Sequence, residues 1–290
     1  MIETRNPFVL GKPIKDPSDF YGREHELRQL FESLVNMQPV AIVGEHRCGN
    51  TSILYQMLEP SVQARYLTPA QIGGLRFVFA NAQLSAEGPD AFYRRVARTL
   101  RKADPDSRVD FDTQIDNFWL EDYLDDLAAR EHRLVLLLDE FEVLAPFEAG
   151  FWEWFRGLIT EYDLSIIVAT RVELGEFRQE WGSGSPFFNM FRSIYIGSFS
   201  ARDQATFLAE SAAKAGVDFG AVGTVIADLA GRFPYYLQVA ASLFYERSRH
   251  EPLDGSPEQV AAVADEFRAR TDPHFEDIWA KLPGAERDAL

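Results

Sequence analysis

The chain has 290 residues, of which 46% are hydrophobic, so it can bury a full core in one large domain and one or two smaller ones. Its formal net charge of −16 works against unspecific attachment to nucleic acid or to anionic lipid. The single cysteine excludes an internal disulfide framework, and the sequence contains neither a signal-peptide pattern nor a membrane-spanning apolar run. We therefore expect a cytoplasmic protein for which nucleic acid is not the default partner.

The first 21 residues are rich in proline, glycine and aspartate, which predicts an ordered but irregular arm. A helix is expected next, because apolar residues recur from Leu27 to Val35 at the spacing of one helical face. The run "PVAIVG" then indicates a buried strand over 39–43, and "TSILYQML" has a helical pattern. The stretch between them, "GEHRCGNTS" at 44–52, therefore lies at a turn from a strand to a helix.

Further apolar, β-branched runs predict strands after this turn, with helical patterns between them. The predicted strands cover 75–82, 133–140, 164–171 and 192–199. The predicted helices lie near 90–103, 117–131 and 147–161. Strands without polar alternation, separated by helices, indicate a mostly parallel sheet covered on both faces. We expect one α/β domain over residues 22–199.

From Ser200 onward the sequence has helical patterns only, which predicts a small helical domain over 200–250 and further helices over 251–290. In the last segment Ser256 is the expected N-cap of a helix and Pro257 its first residue. The final pattern stops in mid-helix, so we expect a longer protein in which 251–290 begins a truncated winged-helix domain.

The glycine-rich stretch resembles the phosphate-loop pattern G-x-x-x-x-G-K-[ST], except that Asn50 replaces the lysine. Such a loop holds phosphate with backbone N–H groups and a helix N-terminus, and Thr51 occupies the position of a hydroxyl ligand to Mg²⁺. The alternative is an ordinary glycine-containing turn. The residues expected to bind nucleotide here are Gly44, Glu45, His46, Arg47, Cys48, Gly49, Asn50, Thr51 and Ser52.

A second element supports the nucleotide-binding interpretation. The apolar strand "LVLLLDE" ends in Asp139, a candidate ligand to Mg²⁺, and Glu140, a candidate to orient or deprotonate water. By itself this is also compatible with solvated acids at a strand end. Together with the loop it predicts a P-loop NTPase core.

The order of the motifs resembles the STAND branch of the AAA+ ATPases, in particular bacterial AAA-like proteins. The resemblance covers residue 5 to about residue 245 and is carried by "NPFVLGKPIKDPSDFYGREHEL", "AIVGEHRCGNTSILYQ", "LLLDEFE", "IVATR" and "GRFPYYLQ". It implies a parallel sheet of order 5-1-4-3-2 and a helical lid after it. It also implies that ATP or ADP binds with Mg²⁺ and controls a signalling or defence switch.

The resemblance assigns roles to individual residues. Phe20 and Tyr21 correspond to the stretch that lies against adenine, and Arg171 to a sensor of the γ-phosphate. Pro234 corresponds to the proline by which the lid meets the nucleotide. Each has a structural alternative: Tyr21 as ordinary packing, Arg171 as a surface arginine, and Pro234 as the start of a helix.

Asn50 departs from the family pattern and changes the expected activity. A neutral, shorter side chain brings no positive charge to the β,γ-bridge, where charge grows during phosphoryl transfer, so hydrolysis should suffer more than binding. Arg47 or His46 would compensate in part.

Three interpretations are compatible with this loss of charge. The leading one is a nucleotide switch that self-associates or binds a partner protein through the core, the lid or a missing C-terminal region. The others are an active Mg²⁺-dependent ATPase with a substitute cation and a pseudo-NTPase scaffold. The acidic charge disfavours an origin-binding role on DNA.

Overall fold

The computed structural model describes residues 6–8, 10–176 and 186–281, which divide into two compact units. The α/β unit lies within residues 13–197, and the helical unit combines the described residues before position 13 with those from Ser198 to Lys281. The predicted boundaries at residues 21, 199 and 250, and the winged-helix interpretation, stay predictions. The end of the last predicted helix, from 282 to 290, lies outside the described residues.

Parallel strands build the sheet of the α/β unit, five of them within its described residues. They are β1 (Val40–Val43), β2 (Leu75–Asn81), β3 (Arg133–Asp139), β4 (Leu164–Thr170) and β5 (Arg192–Tyr195). Their order is β2-β3-β4-β1-β5, and every pair is parallel, which confirms the predicted order 5-1-4-3-2. Strand β5 ends before the predicted residue 199, because its partner β1 gives way to a loop at Gly44.

Helices cover both faces of this sheet, as its uninterrupted apolar strands require. They are α1 (Glu24–Val35), α2 (Asn50–Leu58), α3 (Pro60–Tyr66), α4 (Pro69–Gly73), α5 (Pro89–Ala103), α6 (Asn117–Ala129) and α7 (Ala149–Glu161). The side chain of Asp116 caps α6 by accepting a hydrogen bond from the backbone N–H of Trp119, 3.0 Å away. The strands β1 and β4 are buried at every position, so the residues that follow them start from a closely packed part of the sheet.

The helical unit consists of α8 (Ala201–Ala215), α9 (Gly223–Ala230), α10 (Pro234–Ser248) and α11 (Pro257–Lys281). The predicted start of α11 is confirmed: Pro257 is its first residue, and the Ser256 hydroxyl accepts a hydrogen bond from the N–H of Gln259 at 3.4 Å. Among the described helices, none has the length and apolar character needed to cross a bilayer.

A buried ion cluster ties β2 and α6 of the α/β unit to the end of α5, where Arg76 of β2 lies 3.7 Å from the carboxylate of Asp104. The carboxylate of Asp104, 1% exposed, accepts hydrogen bonds from two Arg130 nitrogens at 3.0 and 2.6 Å and from the Tyr123 hydroxyl at 2.9 Å. Burial alone would raise the pKa of Asp104, but the bonds from Arg130 and Tyr123 outweigh it and hold the pKa below its usual value. The folded state therefore stabilises the charged form of this carboxylate.

We predict that Asp104→Asn lowers the free energy of unfolding at neutral pH by about 2 kcal/mol, because buried Arg130 loses its bidentate partner. Because the pKa of Asp104 is lower in the folded than in the unfolded protein, its ionisation stabilises the fold at pH values above the unfolded pKa. This stabilisation is lost as the pH falls through the pKa of the folded state. The difference from wild type should therefore shrink in acid. Urea denaturation at several pH values measures it, and Asp112→Asn, which breaks the exposed pair with Arg101, is the control. Equal effects of the two changes would contradict the prediction.

Candidate functional site

The parallel sheet brings the candidate residues together at one edge, where the carboxyl ends of its strands meet. Val43, the last residue of β1, pairs with Thr170, the last residue of β4, and the N–H of Gly44 donates to the Thr170 carbonyl at 3.1 Å. Arg171 therefore follows β4 directly beside the start of the loop. Asp139 ends β3, which pairs with β4 on its other side. In open parallel sheets, ligands bind at this edge.

The loop from Gly44 to Gly49 turns the chain from β1 into α2. Two residues in it have left-handed backbone, Arg47 at φ 68° and Gly49 at φ 111°. Helix α2 begins at Asn50, so its first backbone N–H groups face the loop without helical partners and can bind an anion. Glu45, His46 and Arg47 are exposed at the tip of the loop.

A glycine is required at position 44 because a side chain would not fit there, and not because of its backbone dihedral angles. An added Cβ atom would lie 2.6 Å from each of three atoms, Asn50 Oδ1, Cys48 Sγ and Ile196 Cγ1. These atoms surround the first residue of the loop, so a side chain there would force the loop or the residues just after β5 to move. The loop is therefore closely packed at its base.

Asn50 bridges the two ends of the loop. Its Nδ2 donates to the carbonyl of Gly44 at 2.6 Å and lies 3.5 Å from the carbonyl of Thr170, while its Oδ1 accepts from the Cys48 thiol at 3.3 Å. The amide can donate and accept at once, which an ammonium group cannot do. The residue that replaces the expected lysine thus makes structural contacts within the loop.

Arg23 also supports the loop and was not singled out from the sequence. This arginine is only 4% exposed, and its guanidinium donates to the carbonyls of Cys48, at 3.2 Å, and of Gly197. It also pairs with Glu26 at 3.3 Å. Its position in the turn "GRE" before α1 was the available signal, but the carbonyls it binds lie far away in the sequence.

Thr51 and Asp139 form the candidate cation site. The Thr51 hydroxyl donates to Asp139 Oδ2 at 2.9 Å, and Asp139 is 2% exposed. Burial raises the pKa of Asp139, the bonds from Thr51 and a backbone N–H oppose this, and the charge of Glu142 adds to the increase. A hydroxyl and a carboxylate are ligands that suit Mg²⁺, and a cation would relieve this buried charge. The residues present therefore fit Mg²⁺.

No group of three or more histidine, cysteine, aspartate or glutamate side chains is arranged to hold a metal in the part of the chain that the structure describes.

Two glutamates and one arginine form an acidic cluster beside this pair. Arg171 Nε lies 3.7 Å from Glu140 Oε2 and makes a closer ion pair with Glu142 Oε1. Burial raises the pKa of Glu140, the charge of Glu142 raises it further, and Arg171 opposes both. Glu140 also has left-handed backbone at φ 52°, a strained conformation that is more common at functional sites. Glu142 was not predicted, although it follows Glu140 by two positions in "DEFE".

The remaining candidates lie in different places. Phe20 and Tyr21 are half-buried just before α1. The hydroxyl of Ser52 accepts a hydrogen bond from the N–H of Ile14 at 3.0 Å, so it is used within the protein. Pro234 is the first residue of α10 in the helical unit. Nucleotide contacts by these residues stay predictions.

The sequence model of the family "Novel STAND NTPase 2" matches residues 36–286, which include both the loop and the acidic strand end. The chain belongs to this family. This confirms the resemblance to STAND-type P-loop ATPases. Curated protein sequences give no match to this STAND NTPase.

Solved structures agree with the fold of this STAND NTPase. A Walker-type ATPase of Pyrococcus abyssi is 16% identical, with a TM-score of 0.70 over 96% of this chain and 80% of that one. The Aeropyrum pernix ORC2 protein, in ADPNP and ADP complexes, is 15% identical with a TM-score of 0.67 over 90% and 71% of the two chains. The Aeropyrum pernix ORC1 protein in complex with DNA is 20% identical with a TM-score of 0.59 over 92% and 70%. At such identities the likeness extends to the fold alone.

We predict that Gly44→Ala destabilises this STAND NTPase by about 1–3 kcal/mol, because the added methyl group has no space at the base of the loop. The free energy of unfolding from urea denaturation measures the effect. Gly73→Ala is the matched control, because an added Cβ there meets nothing within 4 Å. A loss no larger than that of the control would contradict the packing described for the loop.

Proposed function

We propose that this STAND NTPase binds ATP or ADP with Mg²⁺ at the loop 44–52 and acts as a nucleotide-controlled switch with slow hydrolysis. The observation that carries the proposal is the 2.9 Å contact between Thr51 and Asp139 at the base of a strand-loop-helix turn. It joins a hydroxyl and a carboxylate suited to Mg²⁺ at the point where the N-terminus of α2 can bind phosphate. The ADPNP and ADP complexes of the Aeropyrum pernix ORC2 protein, which has the same fold, support nucleotide as the ligand.

In this proposal the residues of the site have separate tasks. The backbone N–H groups from Glu45 to Ser52 hold phosphate, and Thr51 and Asp139 hold Mg²⁺, which when bound neutralises phosphate charge. Glu140 orients the attacking water and accepts its proton; its raised pKa makes it a better base than an ordinary glutamate once it is ionised.

Asn50 supports slow hydrolysis as part of the proposal. Its amide is neutral and brings no charge to the phosphates, and its hydrogen bonds go to the carbonyl of Gly44 and the thiol of Cys48. Removing one charge-stabilising contact from a phosphoryl-transfer site typically costs about 3 kcal/mol of transition-state stabilisation, roughly a hundredfold in rate. Binding depends on backbone groups, which the exchange of lysine for asparagine leaves in place.

A site that binds nucleotide firmly and turns it over slowly suits a switch, because the bound nucleotide persists long enough to define a state. We propose that the exchange of ADP for ATP controls self-association or the binding of a partner protein. The net charge of −16 disfavours DNA as that partner.

We predict that the purified protein carries ADP or ATP, which denaturation and chromatography of the released material will identify.

Thr51→Val, which removes the hydroxyl at constant size, should weaken Mg²⁺-dependent nucleotide binding about tenfold or more. Thr160→Val is the control, since the Thr160 hydroxyl bonds only the Arg156 carbonyl on the exposed face of α7. The scaffold interpretation would replace the switch if no nucleotide is released and none binds on titration.

We predict that Asn50→Lys raises ATP hydrolysis by about tenfold or more while changing ADP affinity less, because a lysine acts mainly on charge at the β,γ-bridge. Single-turnover hydrolysis and calorimetric ADP binding, measured on both proteins, test this. Adding Glu140→Gln to the lysine variant should abolish the gain. Equal, negligible hydrolysis with and without the lysine would mean that Glu140 and Asp139 are not positioned for catalysis.

A further inference from the structure

Arg171 is the arginine that the sheet places beside the phosphate loop. It directly follows Thr170, whose carbonyl accepts hydrogen bonds from the N–H of Gly44 and from Asn50. Its side chain is 39% exposed, so solvent and ligand can reach it. In a loop whose lysine is replaced by asparagine, the charge of this guanidinium has more effect on bound phosphate than it would beside a lysine.

The structure shows this guanidinium engaged by carboxylates. Arg171 forms a close ion pair with Glu142 and a longer one, at 3.7 Å, with Glu140. Glu142 is only 13% exposed on its side chain, and it reaches Arg171 from the turn 141–144 that follows β3. Because Arg171 is 39% exposed, solvent screens part of this attraction, and a ligand with stronger negative charge can compete for the arginine.

A phosphate and a carboxylate compete for the same guanidinium, because both accept its hydrogen bonds in similar geometry. The backbone N–H groups of the loop and of α2 bind the phosphates of ADP and ATP alike, so they discriminate poorly between them. A third phosphate brings additional negative charge, and Arg171 compensates that charge less while its own charge is offset by the two carboxylates beside its Nε.

We infer that Glu142 is a specificity-determining residue that holds Arg171 away from phosphate and thereby biases the site toward nucleoside diphosphate over triphosphate. This role rests on the proposed nucleotide binding and adds to it the reason for a preference between the two states of the switch. Glu142 acts through Arg171 and is a positioning residue, whereas Glu140 is the candidate that meets water.

The test is a double-mutant cycle of Glu142→Gln and Arg171→Gln. Calorimetry in the presence of Mg²⁺ measures the dissociation constants of ADP and of a non-hydrolysable ATP analogue for wild type, each single variant and the double variant. We expect Glu142→Gln to tighten the ATP analogue about tenfold and to change ADP less than about twofold, because only the third phosphate uses the released arginine. In the Arg171→Gln background the same change should have no effect on the ratio of the two constants.

Two further variants separate positioning from general damage. Glu142→Asp keeps the charge and should keep a ratio close to wild type. Asp163→Asn breaks the ion pair with Arg133 at the other end of β3 and should leave both constants unchanged. Thermal unfolding of every variant checks that the fold is intact, and Glu142→Asp supplies the comparison if Glu142→Gln fails to fold.

The outcomes distinguish the two levels of the proposal. Wild-type protein that binds neither nucleotide overturns nucleotide binding and the role of Glu142 together. If wild type binds both nucleotides, two results overturn the role of Glu142 and leave the nucleotide site in place. In the first, Glu142→Gln leaves the ratio of the ADP and ATP-analogue dissociation constants unchanged. In the second, it changes that ratio equally with and without Arg171.

Discussion

The arrangement of this site depends on the parallel register of three neighbouring strands. Because β1, β3 and β4 run in the same direction, all of them end at one edge of the sheet, and the residues after one strand lie close to the residues after the next. The loop, the acidic strand end and Arg171 are thereby brought together although they are far apart in the sequence. Two of these strands, β1 and β4, are buried throughout, so the site is built on the packed core of the sheet.

Backbone carbonyls near the loop are satisfied by side chains. Asn50 binds the carbonyl of Gly44, and Arg23 binds the carbonyl of Cys48 from a different element. A buried carbonyl without a partner would cost about 1–3 kcal/mol, so both contacts stabilise the curved backbone. The loop is therefore ordered by internal hydrogen bonds, and its shape does not depend on a charged residue at position 50.

The sequence was informative where local chemistry determines structure. Uninterrupted apolar runs identified the strands, and the motif order, through the family resemblance, predicted which strand lies beside which. The same reasoning made Thr51 and Asp139 candidate ligands to Mg²⁺, and their direct hydrogen bond is seen in the structure. Contacts that depend on side-chain direction were not predictable: adjacent helical positions differ by about 100° around the axis, so Ser52 faces Ile14 while Thr51 faces Asp139. The roles of Arg23 and Glu142 depend on partners brought close only by the fold.

The burial of Cys48 has a consequence for observing this loop at work. Its side chain is 1% exposed, it is the sole cysteine of the chain, and burial raises the pKa of its thiol to about 12. Thiolate is the reactive form, so an alkylating reagent modifies the native protein only when the loop opens and exposes the sulfur. The rate of alkylation therefore reports how often the loop opens, and no cysteine has to be introduced to measure it. Its slowing by a bound ligand would measure directly how far that ligand closes the loop.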